Sequence, residues 1–329
     1  MDIPRPPKWK RILKKAGLAL TVFFVLAAVT GFLVQHHCDF EFRTKHLPTG
    51  SFVNVDGHRM HFRQSGEGAF TFVLEAGLGG YSDSWGQLES ALARIGRVLV
   101  YDRAGLGWSE ESPHPRTARQ IAAELHQLLE NGHVLKPYIL VAHSSGGISQ
   151  VRYAMDYPGE VAGLLLIDPS HKDQLKRLPP PPAVLTYLLP LLTRTAPFGL
   201  PQLLAGSPDP VQNQSRHVQT SGAELRAFLD LANNWGDRPI NLGHTPIYVL
   251  TAGSAQIIPG TSATENEAAL VIVKTLHAEL VASSSSEIRK HVVVEGAMHY
   301  IHQTHLAAVV EAAREMTDRI QVRTRQERP

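Results

Sequence analysis

Ser144 stands between an apolar run and a stretch of small residues, a setting that suits a nucleophilic serine. Ile139–Ala142 is apolar and predicts a buried strand, and Gly146 and Gly147 follow the serine closely. A serine on a sharp strand-to-helix turn needs small residues two positions before and two positions after it, here Ala142 and Gly146. A hydroxyl is a weak nucleophile at neutral pH and needs an adjacent base. The pattern therefore predicts covalent catalysis by Ser144 with help from a histidine.

Three further segments share this character, with glycines at the ends of predicted strands. The four segments are Leu74–Gly80, Tyr101–Ser109, Ala142–Gly146 and Gly296–Tyr300. In order and spacing, over about residues 50–320, they resemble the α/β-hydrolase fold superfamily, in its esterase, lipase and peroxidase-like branch. The resemblance implies Ser144 as nucleophile. Dehalogenase and epoxide hydrolase chemistry is disfavoured, because those relatives carry an aspartate in place of Ser144.

The base that activates Ser144 must be one of the 17 histidines of the chain. His299 is distinguished because it follows a predicted strand, 291–295, and a turn of small residues. The resemblance implies that this loop returns the histidine to Ser144. His143 is expected to pack beside the serine, and His302 and His305 are expected to be surface or capping residues.

The third member must be a carboxylate that orients the imidazole. In most relatives it follows the next-to-last strand, but here Gln256 falls there, and an amide carries no charge. Asp168 ends the predicted strand Leu164–Ile167, and some relatives take their acid from this carboxyl edge, where catalytic groups of parallel sheets gather. We expect Asp168 to orient His299. Two later acids remain as alternatives: Glu265 and Glu267. Asp102 also ends a predicted strand, but Arg103 beside it suggests a structural ion pair.

An oxyanion site is expected from the backbone N–H groups of Leu78 and Ser145, which would bind the charge that develops on a carbonyl oxygen. Many relatives have a histidine where this chain has Ala76, a change that alters the support of the loop and not its amides. No G-x-x-x-x-G-K-[ST] motif is present. The sequence therefore predicts no cofactor, and we expect no metal site.

The elements that must position these residues alternate between strands and helices. Residues 51–170 and 244–320 predict an α/β core with a mostly parallel central sheet covered by helices on both faces. Residues 171–243 interrupt the alternation. They are rich in proline and leucine and predict a helical cap over one end of the sheet.

The N-terminal part predicts a membrane segment. Residues 1–15 hold six basic residues and one acid, and residues 16–35 carry no charge. Twenty helical residues span roughly the 30 Å hydrocarbon core of a bilayer. The flanking charge predicts a signal anchor with a cytoplasmic N-terminus and an extracytoplasmic catalytic domain. A cleaved signal peptide, giving a secreted protein, is the alternative.

Residues 36–50 are predicted to form a linker and residues 321–329 a basic tail. His36, His37 and Cys38 fit a polar juxtamembrane segment better than a metal site. A single cysteine excludes an intramolecular disulfide framework. Beyond residue 15 the chain carries three more acids than bases, which argues against a nucleic-acid partner.

The sequence thus predicts a membrane-anchored serine hydrolase that cleaves a carboxylic ester, with a small-molecule or lipid-like substrate and the bilayer as partners. A cofactor-free peroxidase or perhydrolase would use the same residues. A membrane-tethered binding protein of the same fold without turnover is the alternative from another class.

Overall fold

A computed structural model describes residues 7–256 and 261–326. Its centre is an eight-stranded sheet in the order β1-β2-β4-β3-β5-β6-β7-β8. The strands are β1 (Ser51–Val55), β2 (His58–Ser65), β3 (Thr71–Glu75), β4 (Arg97–Tyr101), β5 (Tyr138–His143), β6 (Val161–Ile167), β7 (Ile247–Ala252) and β8 (Arg289–Val294). Strand β2 runs antiparallel to β1 and β4, and the other pairings are parallel. The predicted mostly parallel sheet is confirmed.

Helices cover both faces of this sheet. They are α2 (Gln87–Leu92), α3 (Ala118–Asn131), α4 (Gly146–Asp156), α10 (Ala263–Ala282), α11 (Ile301–Thr304) and α12 (Leu306–Gln326). Every residue of β3, β5 and β7 is buried, as expected for strands covered on both sides. Helices α3 and α4 pack on one face, and α2 and α12 pack on the other. Residues 321–326, predicted to belong to the basic tail, continue α12.

Short helices connect β6 to β7 and form the cap. They are α5 (Gln174–Arg177), α6 (Leu189–Leu192), α7 (Leu200–Ala205), α8 (Ser215–Leu229) and α9 (Leu231–Trp235). A 3₁₀ turn, Thr193–Phe198, joins α6 to α7. The longest of these five helices, α8, packs against this turn and against α6 and so holds the parts of the cap together.

Helix α1 (Lys8–Lys45) is one continuous helix. Within the described residues it is the one helix long and apolar enough to cross a membrane. Residues 36–45, predicted as part of a polar linker, instead continue the helix, because Gln35, Asp39 and Phe42 pack against the body of the protein. The first six residues of the predicted basic segment and the last three of the predicted tail lie outside the described residues.

Candidate active site

Ser144 occupies a sharp turn between β5 and α4. Its backbone has φ +54°, a left-handed conformation that is costly for a residue with a side chain. The turn is tight on both sides: a Cβ at Gly146 would lie 2.6 Å from the carbonyl oxygen of Ala76, and one at Gly147 would lie 2.6 Å from Cβ of Pro169. The small residues around Ser144 are therefore required by close backbone packing, as the sequence pattern predicts.

His299 lies in the loop after β8 and reaches both predicted partners. Its Nε2 is 3.0 Å from Oγ of Ser144, and its Nδ1 is 2.7 Å from Oδ2 of Asp168. An ionised carboxylate can only accept, so the proton of a neutral imidazole sits on Nδ1 and leaves Nε2 free to accept from the Ser144 hydroxyl. The structure thus joins three sequence-predicted residues in one chain of hydrogen bonds.

Asp168 follows β6 directly, and its backbone, like that of Ser144, has a positive φ, +44°. Its second carboxylate oxygen, Oδ1, accepts a hydrogen bond from the N–H of Ala252 at 3.0 Å. Burial alone would raise the pKa of Asp168, but the hydrogen bonds from His299 and Ala252 outweigh it and lower the pKa below its usual value. The carboxylate is therefore ionised at neutral pH, as an orienting acid must be.

None of the other candidate acids forms a hydrogen bond with His299 among the described residues. Glu265 is exposed and accepts from the N–H and hydroxyl of Ser262, which caps the N-terminus of α10. Glu267 is also exposed on α10. Asp102, at the end of β4, accepts from the N–H groups of Ser82 and Trp108. Asp168 is thus the carboxylate that contacts His299.

Two further histidines stand beside His299. His143 Nε2 is 3.0 Å from the carbonyl oxygen of His299, so this nitrogen carries a proton and donates it. Burial, with the neighbouring His299 and His302, lowers the pKa of His143 to about 3, and the ring is neutral. His302, expected to be a surface or capping residue, is buried against the ring of Trp85. That expectation was wrong because α11 folds back over α2.

The predicted oxyanion donors line the same pocket. Leu78, Ser144, Ser145 and His299 all border one cavity of about 230 Å³. Within the described part of the chain, the backbone N–H groups of Leu78 and Ser145 donate no hydrogen bond to another residue. Both amides are therefore free to bind an oxygen placed above Ser144.

The loop that carries Leu78 is held by a buried pair that the sequence did not reveal. Arg103 donates to the carbonyl oxygens of Ala76 and Gly77, at 2.6 and 2.8 Å. The same guanidinium donates from Nε and Nη2 to the carboxylate of Glu224, on α8 of the cap, at 2.7 and 2.9 Å. Burial would raise the pKa of Glu224, but Arg103 outweighs burial and lowers it. Arg103 lies in one of the four motif segments, and this position could have marked it as a residue of the site. Nothing in the sequence indicated a role for Glu224.

The cleft above these residues has a volume of about 640 Å³. Gln256, where an acid was expected, lies on its wall together with Tyr300. Among the described residues, one group has separations that would suit a metal ion: His126, Glu130 and Glu160. Glu160 already accepts hydrogen bonds from Lys136 and from Tyr153, so it is engaged in structural contacts. This group lines none of the cavities that border Ser144.

Comparison with known proteins gives a consistent family signal. Residues 72–312 match the model of the alpha/beta hydrolase family. The uncharacterized protein YbdG of Bacillus subtilis (strain 168) is 31% identical over 163 residues, which are 49% of this chain and 50% of that protein. The chain spans about half the length of the first curated relatives it matches.

Solved structures extend the likeness in fold. A thermophilic esterase from Thermogutta terrifontis superposes with a TM-score of 0.56 at 19% identity, over 83% of this chain and 99% of that one. A membrane phospholipase A described as a bacterial virulence factor superposes with a TM-score of 0.52 at 17% identity, over 94% of this chain and 99% of that one.

Proposed function

The chain belongs to the alpha/beta hydrolase family, and from this premise we propose that it is a membrane-anchored serine hydrolase that cleaves carboxylic esters. One observation carries the proposal: the hydrogen-bond chain from Ser144 Oγ through His299 to Asp168. Such a chain converts a weak hydroxyl nucleophile into one that attacks a carbonyl carbon.

In the proposed reaction, Ser144 Oγ attacks the ester carbonyl while His299 Nε2 accepts the hydroxyl proton. The negative charge on the former carbonyl oxygen is stabilised by the N–H groups of Leu78 and Ser145. Collapse of the intermediate expels the alcohol, which takes the proton from His299, and leaves an acyl group on Ser144. A water molecule then releases the acid by the same steps, and Asp168 stabilises the imidazolium each time.

The fold neighbours support an ester substrate, since one is described as an esterase and another as a membrane phospholipase A. The cleft above Ser144 has room for a small ester or for the head of a lipid-like one.

We further propose that residues 16–35 of α1 anchor the protein in a bilayer. The helix carries no charged residue there, and its exposed side chains include Phe23, Phe24 and Leu26. The basic residues before the span favour a cytoplasmic N-terminus. A reporter fused after Pro329 is expected to be active outside the cytoplasm, while recovery of a soluble protein shortened at its N-terminus would show instead that α1 is a cleaved signal sequence.

Labelling with a fluorophosphonate tests the chemistry. The probe reacts with an activated serine hydroxyl, so the full chain is expected to be labelled and Ser144→Ala is not. Ser112→Ala, at a half-buried position away from the cleft, is the matched control and should label like the parent. An unlabelled parent chain would contradict the hydrolase and favour a binding protein of the same fold.

A further inference from the structure

The C-terminal part of α1 packs directly on the cap. A Cβ at Gly31 would lie 2.5 Å from the carbonyl oxygen of Phe198, so the two backbones are in close contact. The rings of Phe32 and Phe198 are 6.3 Å apart between centroids. Both Gly31 and Phe32 belong to the apolar span, so part of the cap meets the helix at a point within the span.

Polar contacts fix the two parts at the end of the span. Gln35 Nε2 donates to the carbonyl oxygen of Asn213 at 3.2 Å, and Gln202 on α7 donates to the same oxygen at 3.2 Å. Asp39 accepts from the N–H and the hydroxyl of Ser215 at the start of α8. Gln35 and Asp39 are only 7% and 9% exposed, whereas most residues of α1 are exposed. Helix α7 is therefore held beside α1 at the level of Gln35.

The rise of the helix shows how far along the apolar span the cap contacts α1. Gly31 precedes Gln35 by four residues, which is about 6 Å along a helix that rises 1.5 Å per residue. Gln35 is the last residue of the predicted span. If α1 crosses a bilayer, then Phe198, which touches Gly31, lies about 6 Å inside the level at which the helix leaves the apolar layer.

The cap presents large apolar side chains around this point. We call this surface the apolar cap face, and its residues are Tyr187, Leu188, Leu191, Phe198, Leu203 and Leu204. Leu203 is 82% exposed and Tyr187 is 75% exposed, values that would be unfavourable for such side chains in water. Between residues 178 and 208 the one charged residue is the exposed Arg194. Apolar and aromatic side chains with a basic residue and no acid are typical of surfaces that lie in a membrane interface.

A cavity lies behind this face and leads to the catalytic loop. It has a volume of about 330 Å³, and its walls include Leu189 and Leu192 of α6 and Pro201 and Ala205 of α7. At its inner end it shares Leu78, which carries a proposed oxyanion donor, with the cleft above Ser144. The same two helices therefore line the cavity and also carry three residues of the apolar cap face: Leu191, Leu203 and Leu204.

The geometry points to a membrane-embedded cap: the apolar cap face lies in the leaflet that α1 leaves at Gln35, and the cavity behind it receives the acyl chain of an ester dissolved in that leaflet. The acyl chain then reaches Ser144 without crossing water. The statement about the substrate rests on the proposed hydrolase activity, and the statement about the bilayer rests on the proposed membrane anchor, so the two are tested separately.

Lipid quenching tests the position of the face in the full-length chain. Cys38, the single cysteine, is exposed and is first replaced by serine. Each variant then receives one new cysteine, which is labelled with an environment-sensitive fluorophore, and is reconstituted into phosphatidylcholine vesicles. Leu203→Cys tests the cap, Leu26→Cys marks the span, and Leu135→Cys, 62% exposed at the opposite edge of the sheet, marks water. We expect spin-labelled lipid to quench positions 203 and 26, and aqueous iodide to quench position 135. A label at 203 that iodide quenches as strongly as at 135 would overturn the proposal.

Turnover tests the route of the substrate. Leu203→Glu combined with Leu204→Glu places two charges on the face, and each charge is costly in an apolar layer. We expect about a tenfold or larger loss of turnover for a long-chain ester carried in vesicles, with a soluble short-chain ester cleaved at the parent rate. Equal turnover of the vesicle-borne ester by variant and parent would overturn the route through the cap. Failure to cleave either ester by the parent would refute the proposed function, and the quenching result would still decide where the face lies.

Discussion

The carboxyl edge of the sheet and the cap are held in place by different means. At the sheet edge, Ser144 and Asp168 are fixed by strand ends and by hydrogen bonds to neighbouring strands, such as that from the Asp168 N–H to the Leu250 carbonyl at 2.7 Å. The cap is fixed by contacts between distant segments, such as Asp39 with Ser215, which are 176 residues apart. The difference fits the proposed roles, which are chemistry at the sheet edge and entry of the substrate through the cap.

Among the contacts that join the two regions is a buried ion pair, which we call the joint. Glu224 of the cap binds Arg103, and Arg103 binds the loop that carries Leu78. Any shift of α8 is therefore transmitted to a proposed oxyanion donor. Perturbing the sheet edge, the joint and the cap in turn is expected to give effects of decreasing size.

The largest effect is expected at the sheet edge, for Asp168→Asn. An amide in this place donates to His299 Nδ1 and stabilises the wrong tautomer, and such changes lower kcat by about 10⁴-fold. Glu265→Gln is the matched control, because Glu265 only caps α10. Steady-state hydrolysis of a p-nitrophenyl ester measures both, and an equal loss in the two variants would contradict the assignment of Asp168.

The sheet edge could be predicted because its signals are local. Ala142 and Gly146 lie within two residues of Ser144, so the pattern of the turn is visible in a short stretch of sequence, and Asp168 follows its strand directly. Asp102 shows where the same reasoning fails. A structural pair with Arg103 was expected from their adjacency, but Asp102 contacts His61 instead.

The packing of the cap and the length of α1 could not be predicted in the same detail as the sheet edge. The composition of residues 171–243 predicts helices, but not which faces are covered. Residues 36–45 look like a polar linker because the partners of Asp39 and Phe42, which are Ser215 and Trp108, lie far away in the chain. Only tertiary contacts turn these polar and aromatic residues into a packed helical surface.

An intermediate effect is expected at the joint, for Glu224→Gln. Glutamine keeps the volume but leaves the buried charge of Arg103 poorly balanced, so the loop that carries Leu78 loses its fixed position. Misplacement of a catalytic group by about 1 Å costs about 100-fold in rate, and we expect kcat to fall by about 10- to 100-fold with little change in KM. Glu279→Gln, which removes an exposed pair with Arg177, is the control. A change in KM alone would indicate that Glu224 acts on substrate binding.

A smaller effect is expected behind Asp168, where His277 donates from Nε2 to the Pro169 carbonyl at 2.6 Å. Burial lowers the pKa of His277 to about 4, below the value near 6.5 of an unfolded chain. The unfolded state therefore binds more protons between these values. The stability that the neutral ring contributes above pH 6.5 is lost as the pH falls, by about 1 kcal/mol per unit.

Thermal unfolding in detergent at pH 7 and pH 5 measures this dependence. His277→Asn should reduce the slope without abolishing it, because burial also lowers the pKa of His143 and of His302, while His133→Asn, at an exposed position, should keep the parent's slope. An unchanged slope in His277→Asn would show that the pH dependence comes from other groups.

The smallest effect is expected where the cap meets α1, and one helix supplies both the test and its control. In Gly31→Ala the new methyl group would lie 2.5 Å from the Phe198 carbonyl oxygen, whereas in Gly17→Ala it would meet nothing within 4 Å. Both changes favour the helix equally, so the difference between them isolates the contact with the cap. Overpacking of this kind costs about 1 kcal/mol or more. We expect Gly31→Ala, and not Gly17→Ala, to speed proteolytic cleavage after the exposed Arg194 several-fold in detergent, because the cap separates from α1 more often. Equal cleavage rates would mean that α1 does not hold the cap. The depth of the apolar cap face in the bilayer could then no longer be inferred from the position of α1.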